Sequence, residues 1–129
     1  MVNDGERSST WARKGWSSDN SQTTSHTEWI QFDMGTSYMI SKVDLYPRND
    51  GVHVGYGFPV DFTIRVSADC ATWSTVVTRT NYPLPSNAGQ SFTFAPHAAR
   101  CVQIEGTNLR PNPNDGGQYR MQLAEVEVY

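Results

Sequence analysis

Apolar and polar residues alternate with a period of two along much of the chain. In EWIQFDMG, Ile30 and Phe32 fall on one face and Gln31 and Asp33 on the other; in ISKVDLYP, Val43 and Leu45 form the apolar face. VDFTIRVSAD sets Phe62, Ile64 and Val66 inward and Thr63 and Arg65 outward, and STVVTR, SFTFA, RCVQIEG and MQLAEVEVY follow the same rule. Successive side chains of a strand point to opposite faces, so the pattern predicts half-buried β-strands, and the helical period is missing. Seven or eight such runs are separated by turn-forming clusters, NDGVHVGYGFP, NYPLPSNAG and RPNPNDGG. That spacing predicts an all-β fold, an antiparallel β-sandwich or jelly roll of about eight strands. The first 27 residues are rich in Ser and Thr without a clean strand; they are expected to form an ordered loop, tied down by function or by a bound ion.

The length, 129 residues, fits a single domain over 1–129. A formal charge of -3, with ten Lys and Arg that form no run, argues against nucleic acid as a partner. The longest apolar run falls short of the roughly 18 residues a membrane span needs. The opening MVNDGERSST has no basic segment followed by an apolar one, which fits a domain of a longer secreted chain. Cys70 and Cys101 are the only cysteines; their count suits one bridge in an oxidising compartment or two buried thiols in a reducing one.

Catalysis lacks its parts. The histidines stand alone at 26, 53 and 97, and the motifs of serine hydrolases, zinc proteases and phosphate-binding loops are missing, so no enzyme is expected. Glu125 and Glu127 lie two apart on a strand and share one face, expected to be solvated, so they make a poor glycosidase pair. In NDGERSSTW, Asp4, Glu6 and Ser9 supply hard oxygens around a turn at Gly5. Such a set suits calcium, or a solvated polar loop.

The order Asp-Gly, Trp11, EWIQFDMG, YPR, VSADCATW, FAPHAARCVQIEGT and LAEVEVY resembles the discoidin or coagulation factor 5/8 type C domain. Within it, the chain is similar to bacterial carbohydrate-binding modules of families 32 and 67. The resemblance implies a galactose-binding-domain-like jelly roll with a structural calcium. Its ligands would be Met1, Asp4, Glu6, Ser9, Ala124 and Glu125, with Glu127 left free of the ion. Relatives usually carry a strand before this loop, whereas this chain starts at Met1. They also tend to have Gly and Tyr where Cys70 and Cys101 stand, and the paired departure implies a disulfide.

The resemblance places the sugar on loops at one end of the sandwich. Counting from Arg48 gives Asp44 as the acid that grips hydroxyls with it, His53 where galactose binders have Asn, and Tyr119 as the stacking ring. Physical chemistry supports such a set, because a guanidinium fork holds vicinal hydroxyls, a carboxylate accepts their protons and a ring packs on a pyranose face. A plain ion pair is the alternative for Arg48 with Asp44. In the rhamnose-binding variant a second calcium meets the sugar directly. Asp19 and Asn20 with Asn49 and Asp50 are then its ligands, or else turn formers. Tyr56 and Phe58 either present rings to a ligand or plug the core.

The expected function is therefore a non-catalytic module of a secreted, extracellular bacterial enzyme. It would bind a terminal sugar, L-rhamnose through calcium or else galactose or an N-acetylhexosamine, and bring a catalytic domain to plant or microbial glycans. It is expected to be monomeric. A phospholipid-binding domain with Tyr56 and Phe58 as membrane spikes is the rival reading, although Asp19 and Asp50 would repel anionic headgroups. A structural domain without ligand is a third.

Overall fold

The computed structural model describes residues 5, 7, 15–18 and 22–129. Among these, eight strands occur in order: β1 Trp16–Ser17, β2 Glu28–Pro47, β3 Asp61–Ser67, β4 Ser74–Arg79, β5 Gln90–Asn108, β6 Pro111–Asn112, β7 Gln118–Tyr119 and β8 Gln122–Val128. All pairings are antiparallel. The main sheet runs β1-β8-β2-β5-β3-β4, and β6 pairs with β7 apart from it.

Alternation predicted β2, β3, β4, β5 and β8 but split two of them, and it did not find the two-residue strands β1, β6 and β7. EWIQFDMG and ISKVDLYP are one strand of 20 residues, and SFTFA and RCVQIEG are parts of another of 19. Strands this long must bend to stay in a small domain. β2 does so where its register with β5 slips, between Asp33 and Tyr38 and again between Ile40 and Lys42. The early half of β2 pairs with the late half of β5, beside β3 and β4; the late half of β2 pairs with the early half of β5, beside β8. The doubled ribbon therefore belongs to both layers of a sandwich.

Rings from the two layers meet between them. Phe62 of β3 lies edge-on to Phe92 of β5 at 5.4 Å and to Phe58 at 5.6 Å, and Tyr82 packs against all three. Val43, Leu45, Ile64, Val66, Val102 and Ile104 fill the rest of the core, as their alternation predicts.

β8 breaks the alternation. Leu123, Ala124, Glu125 and Val126 are all buried, and Gly5 and Gly15 lie directly against this strand. A Cβ on Gly15 would lie 2.5 Å from the Leu123 carbonyl oxygen, and Gly5 donates its N–H to Glu125 Oε1 at 3.3 Å. The expectation that Glu125 is solvated is corrected accordingly.

Cys70 and Cys101 form the expected disulfide, with Cα atoms 5.3 Å apart. It joins the β3–β4 turn to β5 at the end where the ribbon bends. At the other end, residues 22–27, 48–60, 80–89 and 109–121 come together. Val60 N–H donates to Asn108 O, Tyr82 N–H to Val60 O, Gln122 N–H to Gly57 O and Tyr119 N–H to Gln22 O, each within 2.9 Å. Four loops are thus laced into one rim.

Candidate functional site: the loop rim

Arg48 follows β2 directly and reaches into this rim. Its Nε donates to Asp50 Oδ1 at 2.6 Å, its Nη2 to Asp50 Oδ2 at 2.9 Å and its Nη1 to Gln122 Oε1 at 3.1 Å. A guanidinium has five N–H groups, so among the described residues one on each terminal nitrogen is not taken up. Gly57 makes the Gln122 contact possible. It sits at a φ of +91°, which favours glycine, and a Cβ there would lie 2.5 Å from Gln122 Cβ. Gln122 in turn donates from Nε2 to Ser17 Oγ at 3.1 Å.

Beyond Asp50, the short 3₁₀ turn Gly51–His53 carries His53 to Asn112. His53 Nδ1 lies 3.0 Å from Asn112 Nδ2, so Nδ1 accepts and the ring proton sits on Nε2. Asn112 is 4% exposed, and Asn114 donates to the Val52 carbonyl at 3.0 Å. Tyr56 is half-exposed, and its phenol lies near enough to Arg110 to act on its charge.

The structure brings Arg48, Asp50, His53, Tyr56 and Tyr119 to this end. Asn49 is also there, but its amide donates to the Arg7 carbonyl at 2.6 Å and so fastens the amino-terminal segment. Tyr119 is half-buried against the core rather than a free plate. Asp44 departs from expectation: it lies within β2, 7% exposed, and pairs with Lys42 at 3.1 Å, not with Arg48. The carboxylate beside Arg48 is Asp50, because the register slip at Pro47 turns the chain out of the sheet. Phe58 is fully buried, which removes it as a membrane spike or ligand ring. Asp19 and Asn20 lie outside the described residues.

Sequence reasoning missed Gln122, Asn112, Asn114 and Arg110. Gln122 read as an ordinary strand residue, and only its pairing beside Pro47 brings it to Arg48. The Pro-Asn-Pro-Asn repeat in RPNPNDGG was a signal for a shaped loop, since Pro sets the backbone and Asn side chains bond to it locally.

Of the expected calcium ligands, Met1, Asp4, Glu6 and Ser9 lie outside the described residues. The two described, Ala124 and Glu125, are fully buried on β8 beside Gly5 and Gly15. A buried carboxylate next to main-chain carbonyls is a hard-oxygen set that fits a calcium ion. Glu127 is not free. It accepts from Arg7 at 2.7 and 2.8 Å, and from the hydroxyls of Tyr46 and Tyr129.

The Arg7 hydrogen bonds, then that of Tyr129, lower the pKa of Glu127 from 4.5 to about 2, against the opposing effect of burial. A carboxylate with a depressed folded pKa contributes stability above its unfolded pKa and loses it as pH falls through the folded value. The melting temperature is therefore expected to fall between about pH 4.5 and pH 2, and Glu127→Gln to flatten part of that slope in a thermal titration.

No functionally curated protein matches the chain. Among solved structures, chitosan-binding module 1 of a Paenibacillus sp. IK-5 chitosanase/glucanase is similar at 27% identity and a TM-score of 0.70, over 98% of this chain and 79% of that one. The CBM32-5 module of a Clostridium perfringens GH89 enzyme, solved with GalNAc-β-1,3-galactose, is similar at 20% identity and a TM-score of 0.72, over 98% of this chain and 78% of that one. The CBM32 module of AlyQ, solved with 4,5-unsaturated mannuronic acid, is similar at 20% identity and a TM-score of 0.65, over 99% of this chain and 82% of that one. These neighbours are carbohydrate-binding modules, and in a truncated AlyQ the module stands with an alginate lyase domain. The F5/8 type C domain model matches residues 1–125, and the chain belongs to that family.

Proposed function

We propose that this domain is a non-catalytic carbohydrate-binding module, which holds one terminal sugar of a plant or microbial glycan on the loop rim and keeps an attached glycoside hydrolase or lyase near its substrate. One observation carries the reading. Arg48 is held by Asp50 and Gln122, with one N–H on each terminal nitrogen not taken up among the described residues, in a rim that also presents His53, Asn112 and the ring of Tyr56. Guanidinium donors beside a carboxylate suit sugar hydroxyls, and a half-exposed ring suits the apolar face of a pyranose. The ligand of one neighbour, GalNAc-β-1,3-galactose, supports galactose or an N-acetylhexosamine as the kind of sugar.

Calcium-bridged rhamnose is the less favoured variant. Both oxygens of Asp50 accept from Arg48, and that guanidinium would repel a cation there. The membrane reading loses its paired spikes with the burial of Phe58. The structural calcium belongs to the proposal: Met1, Asp4, Glu6, Ser9, Ala124 and Glu125 would hold it. It would neutralise the Glu125 carboxylate and pin the amino-terminal segment to β8. The Cys70–Cys101 bridge supports a secreted, extracellular setting.

Calorimetric titration with rhamnose, galactose and N-acetylhexosamines, in calcium and then in chelator, tests this. Few contacts imply dissociation constants of about 10 µM to 1 mM. The expected result is binding that survives chelation at low temperature, with a melting temperature lowered by chelator. Loss of binding from a still-folded domain would put calcium in the sugar site. Binding to phosphatidylserine vesicles and to no sugar would overturn the reading.

A further inference from the structure

The described residues of the four rim loops, 22–27, 48–60, 80–89 and 109–121, hold three arginines, Arg48, Arg110 and Arg120, against two aspartates, Asp50 and Asp115. Arg48 pairs with Asp50 at 2.6 Å and Arg120 with Asp115 at 3.7 Å. Arg110 is left over. Its Nη2 donates to the Tyr82 carbonyl at 2.6 Å, while its Nε is buried without a partner, and among the described residues it has no carboxylate within ion-pair distance. Burial pulls its pKa down, and the Tyr56 phenol opposes that. Half-buried cations are costly unless paired, and surplus cations of this kind are ordinarily placed on the open surface.

The position of Arg110 gives the surplus a use. Tyr56 stands three residues after His53, whose ring meets Asn112, two residues after Arg110. The cation thus lies in the same rim as Arg48, on the side formed by Tyr56 and the 80–89 loop. Its attachment to the Tyr82 carbonyl fixes the fork on a rigid base, because the Tyr82 ring is packed among Phe58, Phe62 and Phe92. A pre-positioned guanidinium that lacks an acid is chemically matched to a planar anionic group.

We propose that the sugar held on this rim belongs to an acidic glycan, and that Arg110 pairs with its anionic group, a uronate carboxylate or a sulfate ester. This rests on the carbohydrate reading above and narrows it: Arg48 takes hydroxyls, and Arg110 takes the charge.

The test is a titration of the wild type, Arg110→Gln and Arg110→Lys with oligogalacturonate, a sulfated galacto-oligosaccharide and neutral galacto-oligosaccharides of matched length. The wild type is expected to bind one of the acidic series at least tenfold tighter than the neutral one, with affinity falling as salt rises. Arg110→Gln should lose that preference while keeping neutral binding, and Arg110→Lys should restore part of it. Which acidic series responds separates carboxylate from sulfate. Equal binding of neutral and acidic series, or an acidic preference untouched in Arg110→Gln, overturns the assignment and leaves the carbohydrate reading standing. Binding of no glycan by the folded wild type overturns both.

Discussion

Replacing Cys70 and Cys101 together by alanine is expected to lower the melting temperature by roughly 10–20 °C while leaving sugar affinity unchanged. The bridge spans a sequence separation of 31 residues, and closing a loop of that length removes enough unfolded-state entropy to stabilise the fold by about 4 kcal/mol. The geometry that uses it is local. Cys70 adopts a φ of 61°, in a β3–β4 turn where Asp69 Oδ1 accepts from Ala71 N, Thr72 N and Ser67 Oγ. That turn is thereby fixed to β5 at Cys101, opposite Ser67. The rim lies at the far end of the sandwich, so its loops keep their mutual hydrogen bonds without the bridge. Calorimetry on the double variant checks the stability, and a titration checks the binding. A melting shift under about 3 °C would mean that the segment between residues 70 and 101 is already confined in the unfolded chain without the bridge.

Arg48→Ala is expected to reduce sugar affinity by about 10- to 100-fold, the loss that follows from removing charge-assisted hydrogen bonds to a ligand. Its effect on the fold is smaller. The Asp50 carboxylate loses the two bonds it accepts from the fork, and Gln122 loses one, a cost of about 1–3 kcal/mol at a half-buried site. The variant should therefore stay folded at 25 °C, which separates lost binding from lost structure. Arg48→Lys discriminates further. It keeps the charge but has no planar fork to satisfy Asp50 and two hydroxyls together, so it should recover only a minor part of the affinity. A folded Arg48→Ala domain that binds sugar as the wild type does would show that the grip lies elsewhere.

Much of the fold was legible because strand alternation is local. Ile30, Val43, Leu45, Phe62, Ile64 and Val66 are buried where period two puts them. The alternation cannot place bends: it breaks between EWIQFDMG and ISKVDLYP, where β2 runs on as one strand while its pairing slips twice. It is silent also about β8, where Glu125 is buried together with its apolar neighbours. The candidate site was legible in part. Arg48 and His53 stand out in a glycine-rich loop, but the partner of Arg48 could not be read from spacing. Four residues before it, Asp44 is still inside the sheet and taken by Lys42. Two residues after it, Asp50 has turned back toward the guanidinium. Gln122 and Asn112 lie 74 and 59 residues away from the groups they meet, and such contacts follow only from the closure of the sandwich.

The rim also explains why the fold can present polar groups so close to a core. Phe58 sits in the same glycine-rich loop as His53 and Tyr56, and it closes the end of the core beneath them. The loop is anchored from below by an aromatic ring and from the sides by backbone hydrogen bonds to neighbouring loops. Rigid placement of a few polar side chains lowers the ordering cost of binding a small ligand.

The most direct test is a map of amide chemical shifts in the isotope-labelled domain as a terminal-galactose or N-acetylhexosamine oligosaccharide is added. Shifts concentrated in residues 48–57 and 110–122, together with the Arg48 side-chain Nε–H, are the predicted result. Shifts confined to the bend at 34–41 and the turn at 68–73, or none with any glycan, would contradict it.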